Sequence, residues 1–290
     1  MGMVKGSNTS FLLCYNNFGC DSMNIKSDFH FKKKFGQNFI SDPNIISSMI
    51  NKLDIDKDTL VIEIGPGSGS LTSHLAPLAG NVLCYEIDTD LKETLADNLS
   101  NFNNVDIIYN DFLKADVKED IKKYNYKKLY LIANLPYYIT TPIVERIINL
   151  NLNFDLIAIM VQKEVGERFN AKPCTKDYGS LTVYLNYYFD INKLINVPRT
   201  VFVPQPNVDG VVITLKPHHR YSVSNEEKFK KLVRDSFVQK RKTLNNNLKN
   251  YDLNTIQNIL NKHNLDLKVR AEALPIEIFI EMANALGDKK

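Results

Sequence analysis

From residue 42 onward the apolar positions fall into short blocks whose period switches back and forth. Asp42-Pro43 has the form of a helix N-cap followed by proline at the first helical position. Ile45, Ile46, Met49 and Ile50 then share one helical face, which predicts a helix to Asn51. A short strand of the buried type is predicted at 60–64, and further strands at 82–87, 105–109, 129–133 and 156–161. Helical spacing covers 71–78, 91–99 and 141–150, with a short helix near 162–169. A last strand is predicted over 208–215. Strands alternating with helices predict an α/β fold, a mainly parallel sheet with helices on both faces.

The pattern changes after Pro217-His218-His219-Arg220. Residues 225–286 carry only helical period, through Phe229, Leu232, Val233 and Phe237, then Ile256, Ile259 and Leu260, then Ile276, Phe279, Ile280 and Met282. A boundary near 216–224 with a small all-helical domain behind it is expected. No internal repeat is visible. Residues 1–28 show neither period and are expected to be a flexible N-terminal extension, or an over-long start with Met23 as the functional initiator. Their apolar stretch at 11–15 is too short for a secretion signal. The first arginine in the chain is Arg146, which argues against an Arg-rich presequence.

Composition narrows the class. The 290 residues suffice for one large domain or two modest ones. No apolar run approaches the ~20 residues that span a bilayer. The four cysteines, at 14, 20, 84 and 174, form no CxxC pair. They fit neither a disulfide scaffold nor a structural zinc site, and point to a reducing, cytoplasmic setting. His218-His219 has no third ligand at suitable spacing, so no metal is expected. From Pro204 on there are 15 Lys/Arg against 10 Asp/Glu, while the rest has 21 against 23. A basic tail on a neutral body fits either a nucleic-acid partner or a lysine-rich solvated surface.

Two segments carry chemistry. Val61-Ile62-Glu63-Ile64-Gly65-Pro66-Gly67-Ser68-Gly69 lies between a strand and a helix. Glycines two apart let the backbone turn sharply and admit a ligand closely. A dinucleotide fingerprint would need glycine at 70, where the residue is Ser70. G-x-G-x-G behind an acidic residue is instead usual for S-adenosylmethionine sites, although a structural turn or another nucleotide site can share it. Glu86 ends the next strand, where a carboxylate can accept both ribose hydroxyls. Asp111 ends the one after, within reach of an adenine amine. The second segment, Asn134-Leu135-Pro136-Tyr137, follows the 129–133 strand. The exocyclic amine of adenine is a poor nucleophile because its lone pair is conjugated with the ring. The Asn134 side-chain oxygen and the Leu135 or Pro136 carbonyl can accept its two N–H bonds and free the lone pair. Tyr137 offers a face for an extruded base. The blander alternative is a turn with a buried tyrosine.

With these residues in place, the chain closely resembles the KsgA-type ribosomal RNA adenine N6,N6-dimethyltransferases. The resemblance runs from about Phe31 to Leu274. It includes Lys33-Lys34-Phe35-Gly36-Gln37-Asn38-Phe39-Ile40, the glycine turn, Asn134–Tyr137 and Met160-Val161-Gln162-Lys163-Glu164-Val165. It continues through Phe202-Val203-Pro204-Gln205-Pro206-Asn207-Val208-Asp209, Arg241-Lys242-Thr243-Leu244 and Arg270-Ala271-Glu272. The resemblance implies a Rossmann-like methyltransferase sheet over 29–216 and a helical RNA-binding domain over 217–290. It implies S-adenosylmethionine as cofactor, leaving as S-adenosylhomocysteine. Cofactor contacts are implied at Asn38, Ile40, Gly65, Glu86, Asp111 and Asn134, with Gly67 of the glycine turn expected beside them, and Phe202 is implied as a second aromatic against the base. The family's usual serine after the Val-Asp pair is Gly210 here. The implied substrate is two adjacent adenines in a hairpin loop near the 3′ end of small-subunit (16S) rRNA, each methylated twice, within an immature subunit. A monomer without membrane contact is expected.

Lys33 and Lys34, and Lys240, Arg241 and Lys242, could pair with rRNA phosphates or form solvated basic faces. Tyr184, Tyr187 and Tyr188 are expected to pack the body rather than bind bases, and Cys84 to be an inert core residue. Other readings remain at this stage: a large-subunit rRNA resistance methylase, a non-catalytic assembly or transcription factor, or a small-molecule or protein methyltransferase. The Arg241–Leu244 segment and Leu135 favour the small-subunit enzyme.

Overall fold

A computed structural model describes residues 39–40, 42–136 and 139–286. Among them, Asp42 caps helix α1 (Pro43–Ile50) by accepting the Asn44 N–H, and Pro43 opens the helix. Strand β2 (Thr59–Ile64) is buried along its whole length. The chain continues through α2 (Ser70–Leu75), β3 (Asn81–Glu86), α3 (Lys92–Asn98), β4 (Val105–Tyr109), the single turn α4 (Val117–Asp120) and β5 (Lys128–Asn134). Then come α5 (Thr140–Asn149), β6 (Leu156–Gln162), α6 (Lys163–Phe169), α7 (Ser180–Tyr188), β7 (Phe189–Val197) and β9 (Gly210–Pro217). Two short strands, β1 (Phe39–Ile40) and β8 (Phe202–Val203), pair with each other outside the main sheet.

The main sheet has the order β4-β3-β2-β5-β6-β9-β7. All its pairings are parallel except those of β9, which runs antiparallel to both β6 and β7. Side chains alternate between two apolar layers, as the pleat requires. Leu60, Ile62 and Ile64 of β2 face Ile143, Val144 and Ile147 of α5 and Leu181 and Leu185 of α7. Val61 faces Ile46, Met49 and Ile50 of α1 and Leu71 and Leu75 of α2. The predicted strands and helices are present, but β7 and α7 were not anticipated. In β7 the exposed Asn192 and Lys193 break the apolar run, because this strand lies at the sheet edge and covers only one face.

Beyond β9 the chain is helical: α8 (Glu226–Ser236), α9 (Leu244–Asn247), α10 (Leu253–Lys262) and α11 (Ile276–Leu286). These helices bury Phe229, Leu232, Leu244, Ile256, Leu260 and Phe279 in a core of their own, to which α7 contributes Val183 and Tyr187. The Tyr187 ring packs at a tilt against Phe229, 4.8 Å between centroids, and the Tyr188 hydroxyl donates to Glu226 at 2.8 Å. The α7 tyrosines thus form the seam between the sheet and the C-terminal helices. The loop before α7 adds to the seam. The Cys174 N–H donates to the Glu272 carbonyl at 2.8 Å, and the Tyr178 hydroxyl to the Leu274 carbonyl at 2.8 Å.

Candidate active site

The turn after β2 holds three left-handed glycines, Gly65 (φ 68°), Gly67 (φ 62°) and Gly69 (φ 86°). Their missing side chains serve different ends. A Cβ on Gly67 would run into the Phe39 ring, with Cδ1 only 2.7 Å away, and one on Gly69 would crowd Leu99 at 3.2 Å. At Gly65 nothing lies within 4 Å. A sharp turn and ligand access were the expected reasons for these glycines; all three make the left-handed turn, Gly65 faces open space, and the protein's own side chains crowd Gly67 and Gly69.

Glu86 ends β3 at 4% exposure. One carboxylate oxygen accepts the Gly67 N–H at 3.1 Å and the other the Asp88 N–H at 2.8 Å. Burial pushes its pKa up, and these backbone donors act against that. Each oxygen has a second lone pair for a further donor. Ile87, the next residue, is 49% exposed. A large apolar side chain left open beside a buried carboxylate suits the flat face of a purine. The sequence reading missed it, although an isoleucine directly after a strand-end acid was the available signal. Asp111 lies two residues beyond β4, half-buried, and accepts the Leu113 N–H at 3.0 Å.

The second segment leaves the sheet at the same level. Strands β2 and β5 are adjacent and parallel, with Ile64 opposite Ala133, so Gly65 and Asn134 each take the next step beyond a matched pair. Phe39, Ile40, Glu63, Gly65, Pro66 and Asn134 line one narrow cleft. The Leu135 N–H continues the ladder to the Met160 carbonyl at 3.2 Å. The Pro136 carbonyl accepts the Ile139 N–H at 3.2 Å and the Thr140 hydroxyl at 3.4 Å, and so is committed to the turn into α5. Of the two backbone oxygens left open by the sequence, this favours that of Leu135.

Beneath the turn, Glu63 is 1% exposed and points to the α2 side of the sheet. Burial raises its pKa to about 8. The Cys84 thiol approaches its carboxyl at 3.8 Å, and burial holds that thiol well above its usual range. Cys84 is therefore inert, as expected of a core cysteine.

Other expected residues sit differently. Phe202, assigned by resemblance to the base, is only 2% exposed; it packs with Ile40, Met160, Val197 and Val212, so its ring presents no open face in this conformation. A Cβ on Gly210 would meet Val161 O, Val197 Cβ and Phe202 Cζ at 3.5–3.6 Å, ordinary contact distances, so the fold does not require glycine there for want of room for a Cβ. Lys240, Arg241 and Lys242 are all exposed, and the Lys240 ammonium also donates to the Lys176 carbonyl across the seam. Asn38, Tyr137, Lys33 and Lys34 lie outside the described residues.

The donor set fits S-adenosylmethionine: open space over Gly65, a buried carboxylate for a ribose diol, an exposed isoleucine for adenine. The comparisons agree. A small-subunit ribosomal RNA methyltransferase A of Staphylococcus aureus is 44% identical over 267 residues, 89% of this chain and 90% of that one. A dimethyladenosine transferase structure from Plasmodium falciparum superposes with a TM-score of 0.69 at 26% identity, covering 83% of this chain and 94% of that one. The 23S rRNA methyltransferase ErmE shares the fold, with a TM-score of 0.67 at 24% identity over 87% of this chain and all of that one. Residues 28–288 match the model of one family throughout, and the chain belongs to it: the ribosomal RNA adenine dimethylases.

Proposed function

We propose that this chain methylates the N6 amines of two adjacent adenines in a hairpin loop near the 3′ end of small-subunit rRNA, acting as a monomer on an immature subunit. The coarser statement follows from family membership: it is an S-adenosylmethionine-dependent rRNA adenine N6,N6-dimethyltransferase. Methyl transfer to a base amine is supported by the matched exit of Gly65 and Asn134 from neighbouring strands into one cleft, and the choice of the small subunit by the 44% identity to a small-subunit rRNA methyltransferase A. Open α/β sheets bind ligands at this rim.

When bound, S-adenosylmethionine supplies an electrophilic methyl group. Gly65, the Glu86 carboxylate, Ile87 and Asp111 are the described residues that would hold it, with Ile40 beside them and Asn38 by resemblance. Asn134 Oδ1 and the Leu135 carbonyl accept the N–H bonds of the adenine amine, two in the first transfer and the one that remains in the second, and turn its lone pair out of conjugation. Pro136 fixes the direction of that carbonyl, and Tyr137 supports the extruded base. No strong general base is needed, because the alkylated nitrogen is acidic. Most of the acceleration comes from holding two reactants in line. Residues 29–216 form the catalytic domain in this reading and 217–290 the RNA-binding domain, with Arg241 and Lys242 on phosphates.

The test is methyl transfer by the full chain to immature small subunits and to free large-subunit rRNA, with nucleoside mass spectrometry. Dimethyladenosine at two neighbouring small-subunit positions is expected. Transfer to large-subunit rRNA alone would overturn the proposal.

A further inference from the structure

We infer that Phe39 is a positioning residue that ties the shape of the cofactor turn to the seating of Phe202, the aromatic that the resemblance sets against the target base, an inference that rests on the reading of the site just given. Two neighbouring side chains on one short strand reach the two halves of the site. The Phe39 ring fills the space where Gly67 lacks a Cβ and packs against Leu91, Leu95 and Leu99. Leu99 in turn closes the space beside Gly69. Two of the three glycines are thus backed by one apolar wall, and Gly67 holds the N–H that Glu86 accepts. The ring supports the Glu86 carboxylate through the Gly67 backbone that donates to it.

The adjacent residue performs the second task. Ile40 is 6% exposed and packs in the same cluster as Phe202. The pairing of β1 with β8 sets Ile40 opposite Phe202 and Phe39 opposite Val203. A two-residue ladder cannot slide by one position without turning Phe39 toward the core and Ile40 toward the turn, since side chains alternate with a period of two. The register that seats the ring under Gly67 is therefore the register that seats Phe202. Losing the ring loosens both: the glycine turn loses its backing, and β8 loses the strand that fixes it.

The experiment measures S-adenosylhomocysteine affinity by calorimetry on the full chain, together with kcat at saturating S-adenosylmethionine. Phe39→Ala is expected to weaken S-adenosylhomocysteine about tenfold and to lower kcat about tenfold as well, and Phe39→Tyr, which keeps the ring, to restore both. Gly67→Ala alone should cost at least tenfold in affinity, and no more than a third of that factor when combined with Phe39→Ala, because the partner of the clash is gone. Equal costs in the two backgrounds would overturn the contact. Weakened affinity with unchanged kcat would overturn the link to Phe202. A fall in melting temperature alone, with affinity and kcat intact, would reduce Phe39 to a packing residue and overturn the inference. Failure of the wild-type chain to bind S-adenosylhomocysteine would instead overturn the reading of the site, and this inference with it.

Discussion

The Gly67 amide donates to the Glu86 carboxylate at 3.1 Å, so the glycine turn and the end of the neighbouring strand are one hydrogen-bonded unit. Glu86 must be ionised to accept from ribose hydroxyls, yet burial raises its pKa above the ordinary carboxylate value. Cofactor affinity should therefore fall as pH drops through that raised value, at a higher pH than for an exposed glutamate. Glu86→Gln should flatten the profile. Glu86→Ala should cost about 1.5–3 kcal/mol per charge-assisted bond lost. Calorimetry across acidic to neutral pH checks this, and an unchanged dissociation constant in Glu86→Ala would contradict the ribose role.

Asn134→Ala should cut kcat about 100-fold, the scale of losing alignment between reactants. Binding of S-adenosylmethionine should stay within about threefold, since most cofactor contacts lie on other strands. Single-turnover kinetics with separate calorimetry divide the two effects. Equal losses in both would make Asn134 chiefly a cofactor ligand.

Glu63 makes stability depend on pH. Its folded pKa, about 8, lies above the value of 4.5 expected in the unfolded chain. Between these values the folded form holds a proton that the unfolded form has lost. The stability this contributes is full below about pH 4.5 and declines as pH rises toward 8, by up to about 1.4 kcal/mol per pH unit. Glu63→Gln, neutral at every pH, should remove this decline. Guanidinium unfolding at pH 5.5 and 8 tests it, and parallel pH profiles for the two proteins would contradict a protonated Glu63.

Cys174 adopts φ 68°, a conformation that disfavours any residue with a Cβ. Its side chain is exposed, and its N–H bond to Glu272 belongs to the backbone. Cys174→Gly should raise stability by about 1 kcal/mol, read from chemical denaturation. A loss instead would mean that the side chain matters more than the strain.

The basic run at 240–242 should divide by task. Lys242→Ala should reduce the salt slope of rRNA binding by about one and leave the melting temperature unchanged. Lys240→Ala should lower the melting temperature, because its ammonium joins the C-terminal helices to the Lys176 carbonyl. Filter binding at several salt concentrations, with thermal melts, separates them. Matching behaviour of the two variants would refute the division.

Most of the sheet could be read in the sequence because its strands are buried on both sides and leave largely apolar runs, continuous in residues 129–133 and interrupted only by Glu63 in residues 60–64. Edge strand β7 has one open face, and its polar residues hid it. The rim positions of Glu86, Asp111 and Asn134 were legible because each ends or closely follows a strand that the sequence marks. What Phe39 does was not, since it depends on a contact with a side chain that Gly67 lacks. Nor could the sequence choose between the Leu135 and Pro136 carbonyls; that rested on how the chain turns into α5, where Ile139 and Thr140 engage the latter. Likewise, nothing in the order of basic residues distinguished Lys240 from its neighbours.

The position of β9 has a consequence for how the chain matures during synthesis. Strand β7 pairs only with β9 among the described residues, and β9 fills the gap between it and β6. Until residue 217 has left the ribosome, β6 keeps a bare rim bearing Ile157, Ile159 and Val161, and β7 has nothing to hold on to. Translation that stalls before residue 210 would leave a nascent chain with two sticky borders, a natural client for holding chaperones.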